Sequence, residues 1–93
     1  MLIIAYDISK DSLRAKFSRF LKKHGRKIQY SVVEIKNSPR VLRIIMAELD
    51  KVYKPKFTMS DSVIIFPISE ADQTKVVRIG WSVQEEKDFV SFS

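Results

Sequence analysis

The 93-residue sequence has the length of a single domain, and its 45% hydrophobic and 30% charged residues exclude an intrinsically disordered chain. It has no cysteine, which excludes disulfide bonds and thiolate metal sites. Seventeen Lys and Arg against eleven Asp and Glu give a net charge of +6, which favours binding to polyanions such as nucleic acid. A merely soluble basic protein would carry the same charge, so charge alone does not establish that function.

Neither membrane insertion nor export is expected. No apolar run approaches the roughly 18 residues that a membrane-spanning helix needs. The N-terminal run over residues 2–6 is too short for the apolar region of a signal peptide and is followed at once by Asp7. We therefore expect a cytosolic protein without a membrane partner.

The first two predicted elements are a strand over residues 2–7 and a helix over residues 10–24. The strand is short, apolar and partly β-branched. The helix has one apolar face, and Gly25 follows it, where a glycine commonly ends a helix. The residues of that apolar face are Leu13, Phe17, Phe20 and Leu21.

Residues 27–36 are predicted to be extended, either as one bent strand or as two short strands with a bulge between them. The second helix is predicted to begin at Ser38-Pro39, because proline is favoured in the first helical turn, and to end at Pro55. Its predicted buried stripe consists of Leu42, Ile45, Met46, Leu49, Val52 and Tyr53.

Three further strands are predicted in the remainder of the chain, over residues 62–68, 75–79 and 89–92. Asp61 and Asp72 are predicted to lie in turns. The order strand, helix, strand, helix, strand, with further strands after it, predicts a ferredoxin-like α/β sandwich of the α+β type. In this fold two helices cover one face of an antiparallel sheet.

Two strands lack the apolar–polar alternation that a sheet with one wet face shows, namely residues 2–6 and 63–66. Both of their faces are therefore expected to be buried, although only two long helices are predicted. We expect a second copy to pack sheet to sheet and form a homodimer; loops covering the second face are the alternative. Residues 1–80 form the predicted domain, and residues 81–93 form an extension with a strand exchanged with, or packed on, the partner.

Four short stretches together resemble the CRISPR-associated protein 2 family. They are IAYDIS at residues 4–9, QYSV at 29–32, IFPI at 65–68 and VRIG at 77–80. The resemblance covers essentially the whole chain. It departs from the family at Lys27, where many members have Arg, and at Val33, where many have Phe.

The resemblance implies a role in CRISPR spacer acquisition. A homodimer of this family would bind duplex DNA and bridge two copies of the CRISPR-associated protein 1 integrase. Members are also described as metal-dependent endonucleases, so the resemblance favours an enzyme. The alternative is a stand-alone Mg²⁺-dependent endoribonuclease or DNase, and a toxin-type ribonuclease of similar fold is a third reading. The choice between RNA and DNA stays open at this point.

Asp7 is the candidate catalytic and metal-binding residue. A single carboxylate is a poor Mg²⁺ site, since Mg²⁺ usually takes one or two carboxylates together with waters and phosphate oxygens. A two-fold axis that brings both copies of Asp7 together would allow one ion to be shared. The alternative is a turn or cap residue before the first helix, stabilised by the helix macrodipole.

A dense run of cations on and after the first helix is the candidate phosphate-binding surface. The alternative is an ordinary solvated helix face. Contacts to phosphate would make binding depend strongly on salt and weakly on sequence. The hydroxyls of Tyr6 and Ser31 are candidate donors to phosphate. The candidate cations are Arg14, Lys16, Arg19, Lys22, Lys23, Arg26 and Lys27.

Overall fold

The computed structural model describes residues 1–77 and residue 79. Within these residues four strands and three α-helices follow one another, and the second helix continues as a π-helical segment and a 3₁₀ turn. Their bounds are β1 Leu2–Asp7, α1 Asp11–Lys22, β2 Gly25–Gln29, β3 Val32–Ile35, α2 Pro39–Glu48, the π-helical segment Leu49–Tyr53, the 3₁₀ turn Lys54–Lys56, β4 Ser62–Pro67 and α3 Glu70–Gln73.

The four strands form one sheet in the order β2-β3-β1-β4, and every neighbouring pair is antiparallel. In this order β1 and β2, which flank α1 in the chain, alternate with β3 and β4, which flank α2. This is the ferredoxin-like arrangement that the sequence predicts. β1 lies at the centre, where Ile4 pairs with Val33 of β3 on one side and with Ile65 of β4 on the other.

The extended segment after α1 is a hairpin of two strands. Two strands were one of the two predictions, but a two-residue turn at Tyr30 and Ser31 separates them, where a bulge was predicted. The bulge lies within β2, where the register shifts between Lys27 and Gln29. β2 begins with Gly25, at which a Cβ atom would collide with the backbone oxygen of Glu34. A glycine is therefore required by the close approach of the two strands.

Both long helices were predicted with nearly correct bounds. In α1, Leu13, Phe17 and Leu21 are buried, as the apolar spacing indicates. The hydroxyl of Ser38 caps α2 by accepting the Val41 N–H at 3.3 Å, with Pro39 in the first turn.

The stripe of α2 was predicted with one error. Ile45, Leu49 and Tyr53 are buried, and Leu42 and Val52 are partly buried against the core. Met46 is 44% exposed, so its predicted burial is wrong. The buried side of α2 is narrower than predicted. The core packs along the row formed by Ile45, Leu49 and Tyr53, and Met46 lies beside this row, where it reaches solvent.

An aromatic cluster joins the two helices to the sheet. The Phe17 ring lies 5.2 Å from the Tyr6 ring and 4.8 Å from the Tyr53 ring, both in edge-on geometry. Because Phe17 comes from α1, Tyr6 from β1 and Tyr53 from the π-helical segment, these three side chains fix the helices on one face of the sheet.

The two faces of the sheet differ in how they are covered. Leu2, Ile4 and Tyr6 of β1 point to the helices and are buried. The residues between them point the other way, and we call that surface the outer face. By alternation and register it carries Ile3, Ala5, Val32, Glu34, Ile64 and Phe66.

The chain after β4 differs from the prediction. The short helix α3 was not predicted, although Ser69 caps it by accepting the Asp72 N–H at 3.1 Å. The predicted strand over residues 75–79 is wrong for Lys75 to Val77. The N–H groups of Lys75 and Val76 bond back to the carbonyls of Asp72 and Gln73, so the backbone turns where the prediction has it extended.

The predicted strand at residues 89–92 and the extension over residues 81–93 lie outside the described residues. Within residues 1–77 and 79, no helix is both long enough and apolar enough to cross a membrane.

Candidate nucleic-acid and metal site

Asp7 is the last residue of β1 and lies opposite Ser62 of β4. Its side chain is exposed, and alternation along β1 places it on the outer face with Ile3 and Ala5. Lys10 is the N-cap of α1, so Asp7 does not cap that helix. Among the residues that the structure describes, no side chain bonds to the Asp7 carboxylate, which is therefore available to a ligand.

Asp7 does not belong to a cluster of metal-binding side chains within the described residues. Within the described ranges, no group of three or more His, Cys, Asp or Glu residues lies close enough to hold a metal ion. Asp7 fits a Mg²⁺ site that keeps most of its ligands as water and phosphate oxygens.

Asp61 fixes the loop that follows Asp7. One carboxylate oxygen accepts the backbone N–H and the hydroxyl of Ser9, at 2.8 and 2.9 Å. The other oxygen accepts the Thr58 N–H at 2.8 Å. The backbone N–H groups of Thr58 and Ser9 hold the pKa of Asp61 below its usual value.

Sequence reasoning places Asp61 in a turn but misses this role. The Asp61 N–H does close a turn onto the Thr58 carbonyl at 3.1 Å, as predicted. The contact to Ser9 spans 52 residues, so it has no local sequence signal.

The predicted cations of α1 do not form one continuous row. Arg19, Lys22 and Lys23 are exposed on the side of the helix opposite its buried stripe. Lys16 lies on the flank toward the second helix, with its ammonium 5.9 Å from the centre of the Tyr53 ring. Arg14 lies on the other flank. The structure therefore brings together Arg19, Lys22 and Lys23, and it separates Arg14 from Lys16.

Arg14 and Lys27 meet at the tip of the β2–β3 hairpin. The Arg14 guanidinium carbon is 5.7 Å and the Lys27 ammonium 5.2 Å from the centre of the Tyr30 ring. Arg14 also donates to the Ile8 carbonyl at 3.0 Å and to the Asp11 carboxylate at 2.7 Å. The hydrogen bond to Asp11 is the main reason that the pKa of Arg14 is raised.

Tyr6 differs from its sequence interpretation as a phosphate donor. Its side chain is on the inner face and only 4% exposed. Alternate residues of a strand share a face, so Tyr6 points the same way as the buried Leu2 and Ile4. The hydroxyl is buried and has no hydrogen-bond partner among the residues described here. We therefore remove Tyr6 from the phosphate-binding surface.

Two further candidate phosphate-binding residues, Ser31 and Arg26, lie on the β2–β3 hairpin and not on the exposed side of α1. Ser31 is partly buried in the hairpin turn, and its carbonyl accepts the Tyr6 N–H at 3.0 Å. Arg26 is paired in register with Glu34, and their side chains are 3.7 Å apart. Since Glu34 is on the outer face, Arg26 lies beside that face and not on the α1 surface.

Comparison with known proteins points to one family. Over residues 1–76 the chain matches the family described as CRISPR associated protein Cas2. It is 34% identical over 79 residues to CRISPR-associated endoribonuclease Cas2 2 of Methanospirillum hungatei, which covers 85% of this chain and 84% of that protein. It is 33% identical over 76 residues to CRISPR-associated endoribonuclease Cas2 3 of Synechocystis, which covers 82% and 79%.

Solved structures agree with this match. The crystal structure of Streptococcus pyogenes Cas2 superimposes with a TM-score of 0.69 at 19% identity, covering 85% of this chain and 98% of that one. A hypothetical protein from Thermus thermophilus superimposes with a TM-score of 0.64 at 28% identity, covering 73% and 79%. The first of these likenesses concerns the fold alone.

The hydrogen bonds of Asp61 predict a pH-dependent contribution to stability. Asp61→Ala should lower the free energy of unfolding at pH 7, because two backbone N–H groups lose their acceptor. The folded-state pKa is below the unfolded value of about 3.9, so this stabilisation is present well above about pH 4 and is lost as the pH falls through the folded-state pKa. Urea unfolding of both proteins across this range measures the difference.

The matched control for this experiment is Asp50→Ala, which removes an exposed carboxylate from the segment after α2. Its effect should be small at every pH. A difference between wild type and Asp61→Ala that is the same at acid and neutral pH would contradict the assignment.

Proposed function

Since the chain belongs to the CRISPR associated protein Cas2 family, we propose that it acts in spacer acquisition in the cytosol as a symmetric homodimer. The dimer binds duplex DNA through backbone phosphates and bridges two copies of the CRISPR-associated protein 1 integrase. The observation that supports the dimer is the apolar outer face, on which the side chains of Ile64 and Phe66 remain 52% and 47% exposed.

The outer face has the composition of an interface core. Its central row places Ile3 between Glu34 and Phe66, and the next row places Ala5 between Val32 and Ile64. Contiguous apolar surface of this kind is rare on monomers. A second copy presents the same apolar surface, and a two-fold axis lets each copy cover the other.

The same axis supports DNA binding. A dimer carries a net charge of +12, twice the +6 of one chain. Arg19, Lys22 and Lys23 of α1 point away from the sheet, and the helices lie on the side opposite the outer face. Dimerisation would therefore leave both cationic surfaces open to phosphate.

A second candidate function is metal-dependent cleavage of phosphodiester bonds in RNA or DNA. The available carboxylate of Asp7 favours it, and two relatives are named as endoribonucleases. Asp7 is on the outer face, so a second copy would bring a second Asp7 toward the same axis. A Mg²⁺ ion bound there would activate a water and stabilise the charge that develops on the phosphate.

The homodimer is tested on the outer face. Phe66→Lys should give a monomer at micromolar concentration, because it places an unpaired charge within the apolar interface. Met46→Lys is the matched control, since Met46 has a similar exposure on α2 and its variant should stay dimeric. Sedimentation equilibrium distinguishes the two states. A monomeric wild-type protein would overturn the proposal.

Duplex binding is tested by charge reversal on α1. Replacing Arg19, Lys22 and Lys23 with Glu should abolish binding of a blunt duplex measured by fluorescence anisotropy. The control replaces Lys51, Lys54 and Lys56 with Glu, which makes the same change in net charge at another surface. Wild-type affinity should fall about 10³-fold between about 50 and about 200 mM salt if roughly six phosphates are bound. Equal losses in both triple variants would place the binding surface elsewhere.

Cleavage is tested at Asp7. Asp7→Asn keeps the size of the side chain but removes the charge that binds Mg²⁺, so nuclease activity should fall at least about 100-fold while the dimer and duplex affinity persist. Asp72→Asn, an exposed acid on α3, is the control. Spacer acquisition by Asp7→Asn in cells separates the two functions, and undiminished cleavage by this variant would exclude the shared-metal mechanism.

A further inference from the structure

Tyr30 differs from the other tyrosines of the chain in its position. Tyr6 and Tyr53 are 4% and 2% exposed and belong to the core, whereas Tyr30 is 70% exposed. An exposed aromatic side chain is unremarkable by itself. What distinguishes Tyr30 is that two cations from different elements, Arg14 of α1 and Lys27 of β2, lie next to its ring.

The backbone under Tyr30 is held in place by the sheet. The turn has only two residues, and Gln29 and Val32 on either side of it are paired. The Tyr6 N–H donates to the Ser31 carbonyl at 3.0 Å, which attaches the turn to the end of β1. The ring is therefore presented from a fixed hairpin tip, close to the strand end that carries Asp7.

The two cations keep capacity for a ligand. Arg14 uses one N–H on the Ile8 carbonyl and one on Asp11, and these bonds fix its guanidinium beside the Tyr30 ring. Lys27 is exposed. With 70% of Tyr30 still accessible, the cations cover only part of the ring, and the rest of its π-surface is open.

We propose that Tyr30, Arg14 and Lys27 bind one unpaired nucleotide at the end of a duplex, with the base stacked on Tyr30 and the phosphate on the two cations. This inference rests on the nucleic-acid binding proposed above, and it specifies which part of the nucleic acid binds at the tip of the β2–β3 hairpin. An aromatic face stacks with any base, whereas a base within a duplex is already stacked on its neighbours. Arg and Lys beside the ring supply the charge that a phosphate needs.

The test compares a blunt duplex with the same duplex carrying a short single-stranded overhang. Tyr30→Leu removes the ring but keeps an apolar side chain, and it should weaken binding of the overhang substrate about tenfold while blunt-duplex affinity is unchanged. Tyr30→Phe keeps the ring and should bind both substrates like wild type. Fluorescence anisotropy gives both affinities, and thermal melting checks the fold.

Crosslinking of the unaltered protein gives an independent readout. A 5-iodouracil at the first unpaired position should crosslink to the peptide that contains Tyr30, and one inside the duplex should not. An overhang affinity unchanged in Tyr30→Leu, or an equal loss on both substrates, would overturn the inference. If wild type binds single strands and overhangs but not blunt duplexes, the duplex-binding proposal fails while the Tyr30 site stands.

Discussion

The arrangement depends on one sheet that is apolar on both faces but has helices on only one. Hydrophobic burial is the main driving force of folding, and exposing contiguous apolar side chains is costly. Phe17 and Tyr53 cover the inner face, whereas Ile64 and Phe66 stay on the outer one. Because strand alternation is strict, the outward direction of these residues also fixes the outward direction of Asp7.

The sequence is sufficient to predict those elements whose patterns are local. The apolar spacing of α1, the Ser38-Pro39 start of α2 and the ferredoxin-like fold appear in the structure as predicted. Tyr6 shows where such reasoning fails. In a run of apolar residues such as 2–6, the sequence does not show which side chains face the core. The prediction therefore puts the Tyr6 hydroxyl on the surface. The charged Asp7 fixes this orientation: its carboxylate has to point to solvent, so the side chain of its neighbour Tyr6 has to point into the core.

Other errors arise from contacts between distant parts of the chain. Met46 fits a helical stripe, but the width of a buried stripe is set by what packs against it. The β-branched residues Val76 and Val77 favour a strand, yet a strand needs a neighbour to pair with, and the backbone turns after α3. Asp61 has a role only because Ser9 lies beside it in space.

Three features of different origin meet at the C-terminal end of β1. Asp61 holds the loop that leaves the strand, the Ser31 carbonyl attaches the hairpin tip to Tyr6, and Asp7 itself bonds to no described side chain. A fixed backbone around an available carboxylate favours ligand binding, because the conformational entropy of the loop is lost when the chain folds and not when the ligand binds. In the proposed shared-metal site one chain supplies half of the ligands. The proposed homodimer supplies the other half, because a two-fold partner that covers the outer face presents its own Asp7 at the same end of the same strand.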